Sequence, residues 1–315
     1  MNFNEELISN DLFLTPDGIP FVMYDSLYDE NHRDHDSRII LLTTNYNFEL
    51  LRKCNYWLGF GYQFNFGYLF TINVVLDLDT VSVVYVIIPN SSLDSFKLLF
   101  KTLKRYLPPS SYPVSFIFAA DELAGLSALK LAFPNVSIRP SMVHFSNVIW
   151  DRLYNETNLP DMLGSNLKIK LDQLMTLTYS PVDDIVKNYE RLLASEYFTT
   201  HAELLEVVIH FFEERYIGRR TRPGYNMRAE PKYPLEVWHC GPANRLRNEE
   251  FDNRINQWYK MYTDFLNGNL PNSLSELVRL LKSDNHLNKE QVESMLFEIN
   301  RFHEEIAISI NGRGT

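Results

Sequence analysis

The sequence predicts an α/β protein: a mixed β-sheet flanked by helices, carrying a helical insertion and a helical C-terminal region. Three observations predict it. β-Branched, apolar runs recur between residues 38 and 88, with the length and composition of strands. Two helix-periodic segments then alternate with two more apolar runs up to residue 138, the pattern of helices laid on the faces of a sheet. Beyond Trp150 the periodic segments are helical to the end of the chain.

Residues 1–37 read as a peripheral segment. Asp29 to Asp36 is charged and polar and reads as a solvated linker, although His32 and His35 among acids leave a metal site as its alternative. The first strand is Ile39–Thr44. The second and third, Phe66–Leu76 and Val81–Ile88, lie close enough in sequence to pair as an antiparallel hairpin. The aromatic stretch between them and the first strand, Tyr56–Phe66, reads as core and hairpin packing.

Pro89 to Ser92 opens a helix, because Ser and Asn side chains accept from its free N–H groups. Leu93, Phe96, Leu99 and Leu103 form its apolar stripe, and Pro108-Pro109 stop it. Val114–Ala120 is a fourth strand, apolar enough to be covered on both faces. Asp121-Glu122 starts the next helix, with Leu126, Leu129 and Phe133 turned inward, and Val136–Ile138 is a fifth strand.

The remaining helices are announced by their ends. Lys168–Leu177 is amphipathic, and Ser180-Pro181 followed by Asp183 and Asp184 is a helix start with acids at the positive end of the macrodipole. Residues 202–216 form a further helix, and 217–244, with irregular Gly and Pro, a loop. Helices resume over Asn248–Phe265 and after the capping box Ser273 to Glu276. The expected division is therefore a peripheral segment 1–37, a core 38–154, a helical insertion and loop 155–244, and helices 245–315 completing the core.

Charge and cysteine content narrow the function classes. The chain has 315 residues, 45% of them hydrophobic, with 30 Lys+Arg against 40 Asp+Glu and a net charge of −10. That acidity argues against strong autonomous DNA binding while leaving room for a local basic groove. Cys54 and Cys240 form neither a disulfide framework nor a zinc motif, which suits a nuclear or cytoplasmic protein. Neither a signal peptide nor a membrane span is expected.

Several stretches, taken in order, resemble the transposase domain of Mutator-like elements (MULE), which has an RNase H-like fold. Ala128 through Phe133-Pro134-Asn135 matches the family's Ala and Phe-Pro-Asn spacing. His144-Phe145-Ser146 with Trp150 matches its His-Phe-Ser element. Val83 through Asn90 to Phe96 resembles the segment between its first two acids. Asn248 to Asn256, after Trp238, resembles its last helix. The resemblance covers about residues 38–265. It implies a DDE-type nuclease in which three carboxylates hold two Mg²⁺ ions.

The matching positions depart from that chemistry. Asn45 stands where the first acid belongs, keeping one oxygen and losing the charge. Ala120 stands at the second, with Asp121 one place later, where it serves either as a displaced metal ligand or as a helix N-cap. Glu249 matches the third, beside Glu250, and is equally readable as a solvated helix face. Asp252 replaces a family His, and Ser141 replaces the Cys of its Cys-x-x-His, with His144 retained.

The resemblance therefore implies a transposase-derived protein impaired in DNA cleavage and strand transfer, needing no cofactor. Its rivals are an active Mg-dependent transposase using Asp121 and Glu249, and a module whose insertion binds a protein. DNA and protein thus remain the two partner classes, with no membrane. Arg219, Arg220, Arg222 and Arg228, among Tyr216, Tyr225 and Tyr233, are the candidate nucleic-acid contacts, or else a charged loop on an acidic surface. Lys101, Lys104 and Arg105 read as the solvated face of their helix, and Trp238-His239-Cys240 suggests a thiol–imidazole pair that adjacency in sequence alone does not orient.

Overall fold

Two nine-residue strands rich in aromatic and β-branched side chains, β3 (Tyr56–Phe64) and β4 (Gly67–Val75), meet across the two-residue turn Asn65-Phe66. They form the middle of the sheet in a computed structural model that describes residues 7–29, 38–75, 80–119, 123–140, 149, 159–222, 227–235, 249–284, 287, 289–297 and 299. Seven strands run in the order β1-β2-β5-β4-β3-β6-β7. The other five are β1 (Val22–Asp25), β2 (Ile40–Leu42), β5 (Thr80–Ile88), β6 (Ser115–Ala119) and β7 (Ser137–Pro140). β5 pairs antiparallel with both β4 and β2, and β3 pairs in parallel with β6, from Tyr56↔Ser115 to Phe60↔Ala119. The protein is thus α/β with a mixed, mostly antiparallel sheet.

Tyr56–Phe66, read as core and hairpin packing, is largely buried and lies in a hairpin, and the structure adds that most of it is itself a central strand, β3. Its glycines weaken the strand signal in the sequence, but Gly59 is there for space. A Cβ at Gly59 would lie 2.5 Å from Phe116 Cε1 and 2.6 Å from Phe70 Cζ. The N-terminal segment is corrected. Rather than being peripheral, it supplies β1 and buries Ile8, Leu12 and Phe21. Arg38 donates to Asp25 through Nη2 at 2.6 Å and Nε at 3.0 Å, both side chains 1% exposed, which ties β1 to the chain entering β2.

One face of the sheet carries α1 (Asn45–Lys53), α2 (Leu93–Tyr106) and α3 (Leu123–Ala132). Ser92 caps α2, accepting from the Ser95 N–H. Phe96, Leu99 and Leu103 are buried as expected; Leu93 is 37% exposed at the helix start, and Phe100 is buried in addition. Phe96 and Phe100 stand edge-on to Phe70 at 5.6 and 6.1 Å. Leu126, Leu129 and Phe133 face inward as expected.

The chain divides into two compact units, residues 1–138 with 254–315, and residues 139–253. The second holds α4 (Leu159–Thr176), α5 (Val182–Leu193), α6 (Glu196–Thr200) and α7 (Ala202–Phe212), which continues as a π-helical turn, Glu213–Ile217. Ser180 does not cap α5 as expected; its hydroxyl instead accepts from Asn188 Nδ2 at 3.1 Å. Gly218 ends the π turn at φ +86°, with a would-be Cβ 1.9 Å from the Ala229 carbonyl oxygen, so both conformation and space demand glycine. The helix α8 (Glu249–Gly268) lies in the first unit from Arg254 onward, followed there by α9 (Leu274–Asp284). The Ser273 hydroxyl accepts from the Glu276 N–H at 3.2 Å, realising the predicted cap. Among the described residues no helix is long and apolar enough to cross a membrane.

Candidate functional site

Successive strand residues point to opposite faces, so Phe60, next to Gly59, points away from α1–α3. It is 1% exposed beneath α8. Trp258, Tyr259 and Tyr262 surround it edge-on, with ring centroids at 5.9, 5.3 and 5.4 Å. Further along β3, the Tyr62 hydroxyl donates to Asn267 Oδ1. The buried polar side chains nearby are neutral. Thr71 pairs in register with Phe60, and Asn73 Nδ2 donates to the Leu58 carbonyl at 2.9 Å and to Thr71 Oγ1 at 3.2 Å. The strands β3, β4, β5 and β6 contain no Asp or Glu.

The resemblance implies a second acid at the end of β6, and with it a first acid within metal-ligand reach, on the strand paired in parallel with β6. That strand is β3, not β2. Asn45 follows β2 and is exposed in the first turn of α1, which Thr44 caps through the Asn47 N–H. Four strand spacings of about 4.8 Å put β2 roughly 19 Å from β6. The strand pairings also run β2 opposite to β6, so their C-terminal ends diverge. The structure therefore does not bring Asn45 to the end of β6. Ala120, Asp121, Ser141, His144 and Trp238-His239-Cys240 lie outside the described residues. Glu249 opens α8, but its side chain, like those of Glu250 and Asp252, also lies outside them. Among the described residues no three His, Cys, Asp or Glu side chains are grouped to hold a metal ion.

The arginine cluster in the second unit forms an ion-pair network in which Arg219 and Arg220 stay about half exposed and Arg228 is largely buried. Arg219 pairs with Glu214 at 3.1 Å and Arg220 with Glu190 at 2.8 Å. Arg228, 9% exposed, donates to Glu190 at 3.0 Å, to Glu213 at 2.9 Å and to the Gly218 carbonyl at 2.7 Å. Hydrogen bonds from Arg220 and then Arg228 hold the Glu190 carboxyl below the usual range. Of the tyrosines among them, Tyr225 lies outside the described residues and the other two are packed. Tyr216 and Tyr233 stack at 5.6 Å, both 5% exposed, and the Arg228 guanidinium lies 5.5 Å from the Tyr189 ring centre. Arg222 alone of the four stays exposed with no ion pair among the described residues.

Asp29 is the one residue of the polar stretch 29–36 among the described residues. Asp29, from the polar stretch, accepts from the Tyr24 hydroxyl at 2.9 Å and lies 3.7 Å from Arg105; burial first, then Asp29, pushes the Tyr24 phenol up to about 12. His32 and His35 lie outside the described residues. Burial pushes the Cys54 thiol up to about 11, so it is no nucleophile. No protein-family model matches this sequence, and no curated protein matches it as a relative.

Proposed function

We propose that this chain is a transposase-derived protein on an RNase H-like core, of the Mutator-like kind, in which apolar packing has taken over the place of the two-metal site. The observation that carries the reading is Phe60. It stands on the strand parallel to β6, where a bridging carboxylate would have to be, and three rings of α8 enclose it. Mg²⁺ takes hard oxygen ligands at about 2.0–2.1 Å and keeps several waters. An aromatic plug supplies no such ligand and excludes the water. The order of strands around β3, three antiparallel strands followed by a parallel one, supports the RNase H-like assignment of the fold.

On this reading the protein does not cleave or join DNA, needs no Mg²⁺, and persists as a folded scaffold in the nucleus or cytoplasm. Titration calorimetry with Mg²⁺ and Mn²⁺, paired with a plasmid-nicking assay, tests it. The expected result is no saturable heat and no nicking. Divalent-dependent nicking that disappears in Glu249→Gln or Asp121→Asn would overturn it in favour of an active enzyme.

A further inference from the structure

The helices on one face of the sheet carry a charge opposite to that of the whole chain. Together α1, α2 and α3 contain seven Lys and Arg against two acids, Glu49 and Asp94, a net +5 within a protein of net −10. On the other face, α8 carries four acids against two bases. Lys97, Lys101 and Arg105 follow each other at four-residue intervals along α2 and are all exposed, a stripe with a rise of about 6 Å per step. The C-terminal end of α1 meets its lower end. Arg52 donates to the Tyr106 carbonyl at 3.1 Å, and Phe48 stands edge-on to Tyr106 at 6.4 Å. Arg52 and Lys53 thereby extend the stripe across two helices.

Two simpler explanations fall short. Cations in the last turn complement a helix macrodipole, which accounts for Arg52, Lys53 and Arg105 but not for Lys97 and Lys101. Local ion pairs do not neutralise the stripe either. Lys97–Asp94 at 3.2 Å, Arg52–Glu49 at 3.7 Å and Arg105–Asp29 at 3.7 Å each involve a cation about half exposed. Exposed pairs of this kind contribute roughly 0–1 kcal/mol and exchange readily for another anion. Lys53 and Lys101 pair with no acid among the described residues. In the second unit, by contrast, Arg228 is fixed between two carboxylates.

We infer that the α1–α2 ridge docks a nucleic-acid phosphate backbone, without reading sequence. A line of exposed cations suits a polyanion that offers repeated charge. This inference rests on charge distribution and does not require the RNase H-like reading. The protein can bind DNA here whether or not it ever cut it.

Anisotropy of a labelled 20-base-pair duplex, titrated with the full chain between 25 and 200 mM salt, tests the ridge. Binding should be weak, weaken linearly on a log–log plot, and have a slope no steeper than about −4.5, for up to five phosphate contacts. Lys53→Glu with Lys101→Glu, both exposed and without an acidic partner among the described residues, should weaken binding at least tenfold at the lowest salt and flatten the slope by about 2. Unchanged far-UV circular dichroism would confirm that this variant still folds. The milder Lys53→Gln with Lys101→Gln should reproduce the effect in part. Absence of binding at 25 mM salt would overturn the inference. So would equal weakening by Arg219→Gln with Arg220→Gln, or binding to phosphatidylserine vesicles without binding to DNA.

Discussion

Around Phe60 the nearest groups are rings; around Arg228 they are carboxylates. The first region lies in the sheet unit, where Phe60 sits under Trp258, Tyr259 and Tyr262 and a second aromatic cluster of Phe70, Phe96, Phe100, Phe116 and Phe118 fills the other side of the same strands. The second lies in the helical unit, where one guanidinium joins α5, the π turn and the strand-like stretch at Arg228 through Glu190, Glu213 and the Gly218 carbonyl. Rings packed in a core resist salt and pH. A partly exposed ion-pair network responds to both. The comparison teaches that residue type alone does not fix a side chain's surroundings: Phe60 is enclosed by rings, and Arg228, a cation in an arginine-rich stretch, is held between two carboxylates.

Breaking the aromatic side should have the largest effect. Phe60→Ala removes a fully buried ring and should cost about 3–5 kcal/mol, since neighbouring rings cannot collapse into the space. Urea denaturation followed by tryptophan fluorescence would report a lower midpoint. A loss below about 1 kcal/mol would mean that α8 does not cover β3 as described. Phe60→Leu should recover part of the loss, whereas Phe60→Asp should be as damaging as alanine or worse.

A smaller effect is expected from the turn that aims Arg228. Gly218→Ala forces a Cβ into a positive-φ site facing the Ala229 carbonyl. It should cost about 2–3 kcal/mol through backbone strain and displacement of the antiparallel backbone pairing of Arg220 with Arg228. Hydrogen exchange should show faster exchange at the Ala229 and Thr221 amides, which bond Arg219 and Met227 carbonyls, while the β3 and β4 amides stay protected.

The smallest effect sharpens the contrast by pH. Arg220 and Arg228 depress the folded Glu190 pKa below its unfolded value, so this stabilisation is complete above the unfolded value and lost as pH falls through the folded one. Glu190 is 39% exposed, and solvent screening limits the contribution to about 1 kcal/mol or less. Acidification from pH 5 to pH 3 should therefore loosen amides of the helical unit in wild type more than in Glu190→Gln. Equal behaviour of the two proteins would remove Glu190 from the network.

The elements legible in the sequence were those set by neighbours in the chain. Phe66–Leu76 and Val81–Ile88 became β4 and β5 nearly to the residue, because long apolar, β-branched runs have little alternative to a covered strand. Ser92 and the Ser273–Glu276 box capped helices as expected, because a cap is a contact across three residues. Where the capping contact was not made, at Ser180, a side chain eight residues on took the hydroxyl instead.

By itself, then, the sequence determined an α/β protein with a central hairpin, helices on its sheet, and the starts of most helices, since periodicity and capping act within a few residues. Only the tertiary structure decided which strand lies beside β6, that residues 22–25 join the sheet, and that Arg228 meets Glu190 and Glu213. Those outcomes depend on partners 15 to 60 residues apart. Strand order and ion pairing are settled by the register and burial of distant segments, and no local pattern encodes which of several glutamates an arginine will find.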